Sequence, residues 1–167
     1  MADLRSAPVP EPDDEDHFGG SPDAPLLIEY ADFECPFCAA LSDKLAGAAL
    51  RRVFRHFPVR SSHPHAWSAA CAAEAAGLQG RFWEMHDLLF SDPGRLDDPH
   101  LWERAVSLEL DLDRFDADRR GDAVVARVRR DFRSGVRAGV VTTPTLFKDG
   151  QQLVGPAIDA AIGTPLS

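Results

Sequence analysis

Basic charge is scarce in this chain, lysine is nearly absent and cysteine is rare. Its 167 residues hold 27 acids against 18 bases, for a formal net charge of −9. An acidic balance without a basic patch excludes the usual nucleic-acid binder, whose affinity comes from neutralised phosphates. Three cysteines are too few for a disulfide scaffold. No apolar run approaches the roughly 18–20 residues that span a bilayer. The N-terminus also lacks the basic start, apolar stretch and small-residue cleavage site of a secretory signal. These absences lead us to expect a cytoplasmic protein with no membrane and no nucleic-acid partner. A reducing cytosol disfavours structural disulfides, so the closely spaced Cys35 and Cys38 need another explanation.

The acid is unevenly spread. Residues 1–24 carry seven acids and one base, Arg5, together with Pro8, Pro10 and Pro12. They read as an acidic, proline-rich, disordered leader. The remainder, 25–167, fits one domain, and an apolar content of 44% allows a real core. Arginine outnumbers lysine sixteen to two, which reads as composition bias without functional weight.

Leu26–Ala31 is a short apolar run between Pro25 and Asp32 and predicts a buried strand despite Glu29. Cys35 then opens a helix reaching to about Leu50, and Arg51 to Val59 has the aromatic and β-branched content of a second strand. Helical periodicity takes over after Pro64, in HAWSAACAAEAA, RFWEMHDLLF and the segment opened by Asp98-Pro99, with Pro64 and Pro99 at favourable starts. A short LDLDRF segment precedes a helix that Asp122 is expected to cap, with Val125, Val128, Phe132 and Val136 on one stripe. Asp149-Gly150 between TLFK and QQLV is a strong hairpin signal, and a brief helix, Ala157 to Ile162, ends the chain. The sum is β-α-β, a helical block at about 62–140, a hairpin and a short helix.

Cys35-Pro36-Phe37-Cys38 lies where a strand gives way to a helix. Unpaired amides and the macrodipole at a helix start stabilise a negative sulfur, and only the thiolate is nucleophilic. The two-residue gap lets a second thiol attack a mixed disulfide formed on the first. Cys35 is therefore the expected nucleophile, Cys38 the resolving thiol, and Pro36 suits the first helical turn. Zinc is the competing reading. It needs a second ligand pair, which His63 and His65 supply only at an unusual spacing, with Cys71 and His86 in reserve. No metal and no organic cofactor are expected.

The segments EYADFECPFC, FRHFP…HPHA, QGRFWEMHDLLF and TPTLF resemble the DsbA-like branch of the thioredoxin superfamily. They are similar in particular to the bacterial DsbA-family proteins, including the thioredoxin-like domain appended to some sodium/proton antiporters. The resemblance runs from about Asp16 to Pro156 and implies an α/β thioredoxin fold with an inserted helical block. It implies that Pro144 is a cis-proline facing the cysteines, and that Thr143 pairs with an extended substrate segment by strand addition. Pro36 and Phe37 would border the same surface. Glu29, six residues before Cys35, matches a buried acid beneath the family's site, and would accept a proton from Cys38. The activity implied is thiol–disulfide exchange on protein or small-thiol substrates, with a redox partner to recycle the dithiol. A peptide-holding module without redox chemistry is the alternative, and a thioether-forming transferase is disfavoured by Cys38.

Of the other residues singled out, Phe37 is expected to tune the redox poise and Cys71 to be a small buried hydrophobe. Trp67, Phe82, Trp83 and Trp102 are expected in packing, and His56 in a structural role. Arg127, Arg129, Arg130 and Arg133 read as a solvated face.

Overall fold

A computed structural model describes residues 6–163. The first five residues of the expected leader and the last four of the closing tail lie outside the described residues. The order is β1 (His17–Gly20), β2 (Leu26–Ala31), α1 (Pro36–Ala46), β3 (Arg51–His56), α2 (Ala66–Gly77), α3 (Phe82–Ser91), α4 (Asp98–Ser107), α5 (Leu112–Asp118), α6 (Asp122–Arg137), β4 (Thr145–Lys148), β5 (Gln151–Leu153) and α7 (Pro156–Ile162). The five strands form one sheet in the order β1-β3-β2-β4-β5. Only β2 and β3 run parallel, joined by α1, and the other pairs are antiparallel.

Strand β2 is central and covered on both faces, which is why its sequence is a nearly continuous apolar run. Side chains alternate across it. Ile28 and Tyr30 pack with Val53, Phe57, Phe147 and Phe132, under α6. Leu27 packs with Leu41, Leu45, Leu146 and Ile158, under α1 and α7. A third cluster joins Phe33, Cys35, Cys38 and Phe54 to α2 and α3, so the cysteine pair stands where sheet and helical block meet. Small alanines along α2 let neighbours close in, and Ala70 and Cys71 pack on Val124 and Val128 of α6. The hairpin turn uses left-handed φ at Asp149 (51°) and Gly150 (76°), as a two-residue turn of this kind requires. Among the described residues no helix is long and apolar enough to cross a membrane.

The structure corrects several sequence readings. The segment expected to be a disordered leader contains β1, which pairs with β3 from His17 opposite Phe54 to Gly20 opposite Arg51. The physical reason is a buried charge. Arg55 is 1% exposed, and its Nε and Nη2 donate to the Asp16 carboxylate at 3.0 and 2.9 Å. Its Nη1 donates to the Pro10 carbonyl at 2.9 Å and the Tyr30 hydroxyl at 3.1 Å. Farther out, Arg130 binds Asp13 at 2.9 Å and also Glu15, and Arg127 donates to the Glu15 carbonyl at 2.8 Å. Two of the arginines expected on a solvated face thus hold the acidic segment.

Helix α6 is capped by Gly121, with Asp122 its first residue, and it buries Val124, Val128, Asp131 and Gly135. Val136 is exposed instead. Helix α1 stops at Ala46, β3 at His56, and Trp102 is 38% exposed.

Gly135 marks the closest approach of α6 to the sheet. A Cβ there would lie 2.7 Å from the Phe57 ring and 2.9 Å from the Tyr30 ring. Alanine normally gains about 1 kcal/mol over glycine inside a helix, but both rings are fixed in the core. We expect Gly135→Ala to destabilise by about 1–3 kcal/mol net, as overpacking does, read as a lower denaturation midpoint.

Candidate active site

Cys35 is the residue before α1, with extended backbone (φ −79°, ψ 120°) and Pro36 in the first turn. Its N–H donates to the Asp32 carbonyl at 3.1 Å, turning the chain from β2 into the helix. This leaves the first helical amides facing the Cys35 sulfur. The other side of the site is the loop before β4, where the Thr143–Pro144 peptide is cis. Cys35 Sγ lies 3.6 Å from the Thr143 carbonyl oxygen, to which it donates when protonated. Cys35 and Cys38 are both buried free thiols.

Their proton affinities are driven apart. A hydrogen bond from Cys38 brings the Cys35 pKa down to about 5 against the opposing effect of burial, helped by the Thr143 hydroxyl and the amides of Cys38 and Phe37. Cys38 moves the other way. Burial pushes its thiol well above the ordinary value, reinforced by the Cys35 sulfur and the Glu29 charge. The surroundings thus favour the thiolate at Cys35 and the protonated thiol at Cys38, an asymmetry suited to thiol chemistry.

Glu29 is fully buried. Its Oε2 accepts from Arg52 Nη2 at 2.7 Å, while Oε1 is buried without a partner among the described residues. Arg52 Nη2 also lies 3.4 Å from His86 Nε2, and His86 Nδ1 is 2.8 Å from the exposed Asp87 carboxylate. Burial holds the His86 pKa below its usual value, with the Asp87 hydrogen bond opposing. Arg52 was missed in the sequence, where the signal was an arginine on the inward side of an apolar strand.

Asp32 was missed as well. Its carboxylate, almost fully buried, accepts the Glu34 and Val59 amides at 2.8 Å each and the His63 imidazole at 2.8 Å. Glu34 in turn accepts the His65 amide at 2.8 Å. His63 and His65 therefore engage acids of the β2–α1 loop. Among the described residues no group of three or more histidine, cysteine or acidic side chains is placed to hold a metal ion. Cys71 lies apart in α2, where burial pushes its thiol up to about 11.

Phe37 is exposed and borders a cleft of about 330 Å³ with Leu41, Thr143, Pro144 and Ile158. The Lys44–Asp159 ion pair, 2.6 Å, stands at its edge.

A parallel β-α-β core, an antiparallel hairpin and a dithiol facing a cis-proline loop define a thioredoxin fold with an inserted helical block. The chain belongs to the thioredoxin family, which it matches over residues 13–164. It is 42% identical over 152 residues to the Na(+)/H(+) antiporter NhaA 1 of Mycolicibacterium gilvum, covering 86% of this chain and 25% of that protein. It is 43% identical over 167 residues to the Na(+)/H(+) antiporter NhaA 3 of Salinispora tropica, covering 92% of this chain and again 25% of the relative. The chain thus spans about a quarter of the length of these relatives. Among solved structures it resembles a thioredoxin-like oxidoreductase of Silicibacter pomeroyi (TM-score 0.78, 22% identity, 92% of this chain and 95% of that one). It also resembles the thiol-disulfide exchange protein alpha-DsbA2 of Wolbachia pipientis (TM-score 0.74, 18% identity, 86% and 81% covered).

Proposed function

We propose that the protein is a DsbA-like thiol–disulfide oxidoreductase cycling Cys35 and Cys38 between dithiol and disulfide. The observation that carries this reading is the pair of buried free thiols at the start of α1, with Cys35 Sγ 3.6 Å from the Thr143 carbonyl beside the cis Thr143–Pro144 peptide. In the reducing direction the Cys35 thiolate attacks a substrate disulfide, forming a mixed disulfide and releasing one substrate thiol. Cys38 loses its proton and attacks Cys35, the second substrate thiol leaves, and the protein keeps the two electrons' worth of oxidation as a Cys35–Cys38 disulfide. The oxidising direction is the same sequence reversed, and the net direction follows the reduction potential against that of the partner pool.

Glu29 is the acceptor for the Cys38 proton in this scheme. Its buried Oε1, without a partner among the described residues, and the charge it exerts on Cys38 support the role. Thr143 and Pro144 present backbone to an extended substrate segment, and Pro36 and Phe37 border its path. Substrates are protein or small-molecule thiols and disulfides, and a separate redox partner resets the pair.

The test is trapping. Cys38→Ser removes the resolving thiol, so a mixed disulfide on Cys35 should accumulate to near-stoichiometric amounts with a peptide disulfide and be released by dithiothreitol. A variant that forms no adduct, although Cys35 is reduced and the fold intact, rules the mechanism out. A peptide-holding module without redox chemistry would bind its ligand equally well with both cysteines changed to serine.

A further inference from the structure

We propose that His63, held by Asp32, supplies the proton that discharges the thiolate leaving the substrate disulfide, and takes it back when the exchange reverses. This rests on the exchange reading above and adds a catalytic group outside the Cys-Pro-Phe-Cys segment.

Asp32 links the Cys35 backbone to the His63 ring. Its carbonyl accepts the Cys35 amide at 3.1 Å, and its carboxylate meets His63 Nδ1 at 2.8 Å. A carboxylate can only accept, so the bond places a proton on Nδ1 and directs Nε2 away from Asp32. Nε2 has no hydrogen-bond partner among the described residues, and the side chain is partly open, at 24%. The imidazole is not free to swing. Val59 donates to Asp32 and His65 to Glu34, so the 59–65 loop is fastened to the 32–35 loop on both sides of His63. The result is an acid–imidazole pair adjoining the nucleophile, with one ring nitrogen left for an incoming molecule.

The charges facing His63 are Asp32, Glu34 and Cys35, all from the β2–α1 loop and all negative when ionised. Burial works against an imidazolium here, but the Asp32 hydrogen bond and these three charges outweigh it and raise the His63 pKa above 6.5. These neighbours thus favour the imidazolium relative to a free histidine, and in that form the ring can act as an acid.

Cys35 Sγ forms a bond to one substrate sulfur, the substrate S–S bond breaks, and its electron pair leaves on the second sulfur. That sulfur takes the Nε2 proton, and neutral His63 recovers one from solvent. Delivering a proton matters most when the leaving thiolate is basic.

The experiment is single-turnover reduction by the reduced full chain of two disulfides. Hydroxyethyl disulfide releases a basic alkyl thiolate, and an aromatic nitrothiobenzoate disulfide releases a weakly basic one. With His63→Gln, the alkyl rate should fall at least tenfold further than the aromatic rate. Asp32→Asn should shift the same ratio in the same direction. In the wild type, the alkyl-to-aromatic ratio should fall about tenfold as pH rises through the His63 titration, which tests the idea even where a variant does not fold. Equal losses on both substrates, or a ratio flat with pH, overturn the role of His63. A wild type that reduces neither disulfide overturns the exchange reading beneath it.

Discussion

Alkylation of the reduced protein by iodoacetamide should titrate with a midpoint of about 5 and come from Cys35 alone. An ordinary thiol, with a pKa of about 8.5, is only a few per cent ionised at pH 7. Cys35 should therefore react through a thiolate fraction more than tenfold larger at pH 6–7, reduced somewhat by the lower intrinsic nucleophilicity of a less basic sulfur. Cys38, buried and with its pKa pushed up, should stay unlabelled until the protein unfolds. Cys35→Ser should reduce exchange to the uncatalysed background, because a hydroxyl at this position is neither ionised nor able to form the mixed disulfide. A midpoint near 8.5 would remove the basis for calling Cys35 the nucleophile. The sign of the linkage is also fixed. A group whose pKa falls on folding stabilises the native state fully above its unfolded value, and that contribution fades as pH falls through the folded value. The reduced protein should therefore gain stability relative to the Cys35→Ser variant between about pH 5 and the ordinary thiol range.

The second large effect concerns stability. Asp16 and Arg55 form an ion pair whose side chains are 0% and 1% exposed. Removing one member of such a pair leaves the other charged in the interior, a loss of about 3–5 kcal/mol. Asp16→Ala should fall in this range by denaturant titration, whereas Asp14→Ala, at an exposed position, should stay within about 0.5 kcal/mol of the wild type. Burial opposes the charge on Asp16, but hydrogen bonds from Arg55 and the Asp13 amide hold its pKa below the ordinary carboxylate range. Its contribution should persist down to pH 4 and disappear only at lower pH. Equal effects of the two substitutions would show that the N-terminal segment does not anchor the fold.

The parts legible in the sequence were those carried by local pattern. A bounded apolar run gave β2, a proline in the first turn gave α1, and Asp149-Gly150 gave the hairpin. The N-terminal segment was not legible, because acid and proline make the same composition whether a segment is free or paired. What distinguishes it is Arg55, 39 residues from Asp16, and Arg127 and Arg130 of α6, 112 and 115 residues from Glu15. Such separation leaves no periodic trace. The stripe of α6 was misread for a related reason: Asp131 and Gly135 are two of its four buried positions, and neither registers as apolar, so Phe132 and Val136 drew the weight. At the site, Cys35 and Cys38 announce themselves by spacing. Asp32 and His63 do not, being ordinary residues 31 positions apart that acquire meaning only when two loops meet.

The outer and inner fastenings of the N-terminal ribbon differ in their response to ionic strength. Arg130 meets Asp13 and Glu15 where water and mobile ions reach them, so added salt weakens that outer clasp. The Arg55–Asp16 contact is shielded by the protein itself and hardly notices. Rising salinity should thus loosen the Asp13–Glu15 stretch alone, while Asp16 and the Pro10 carbonyl stay on the Arg55 guanidinium.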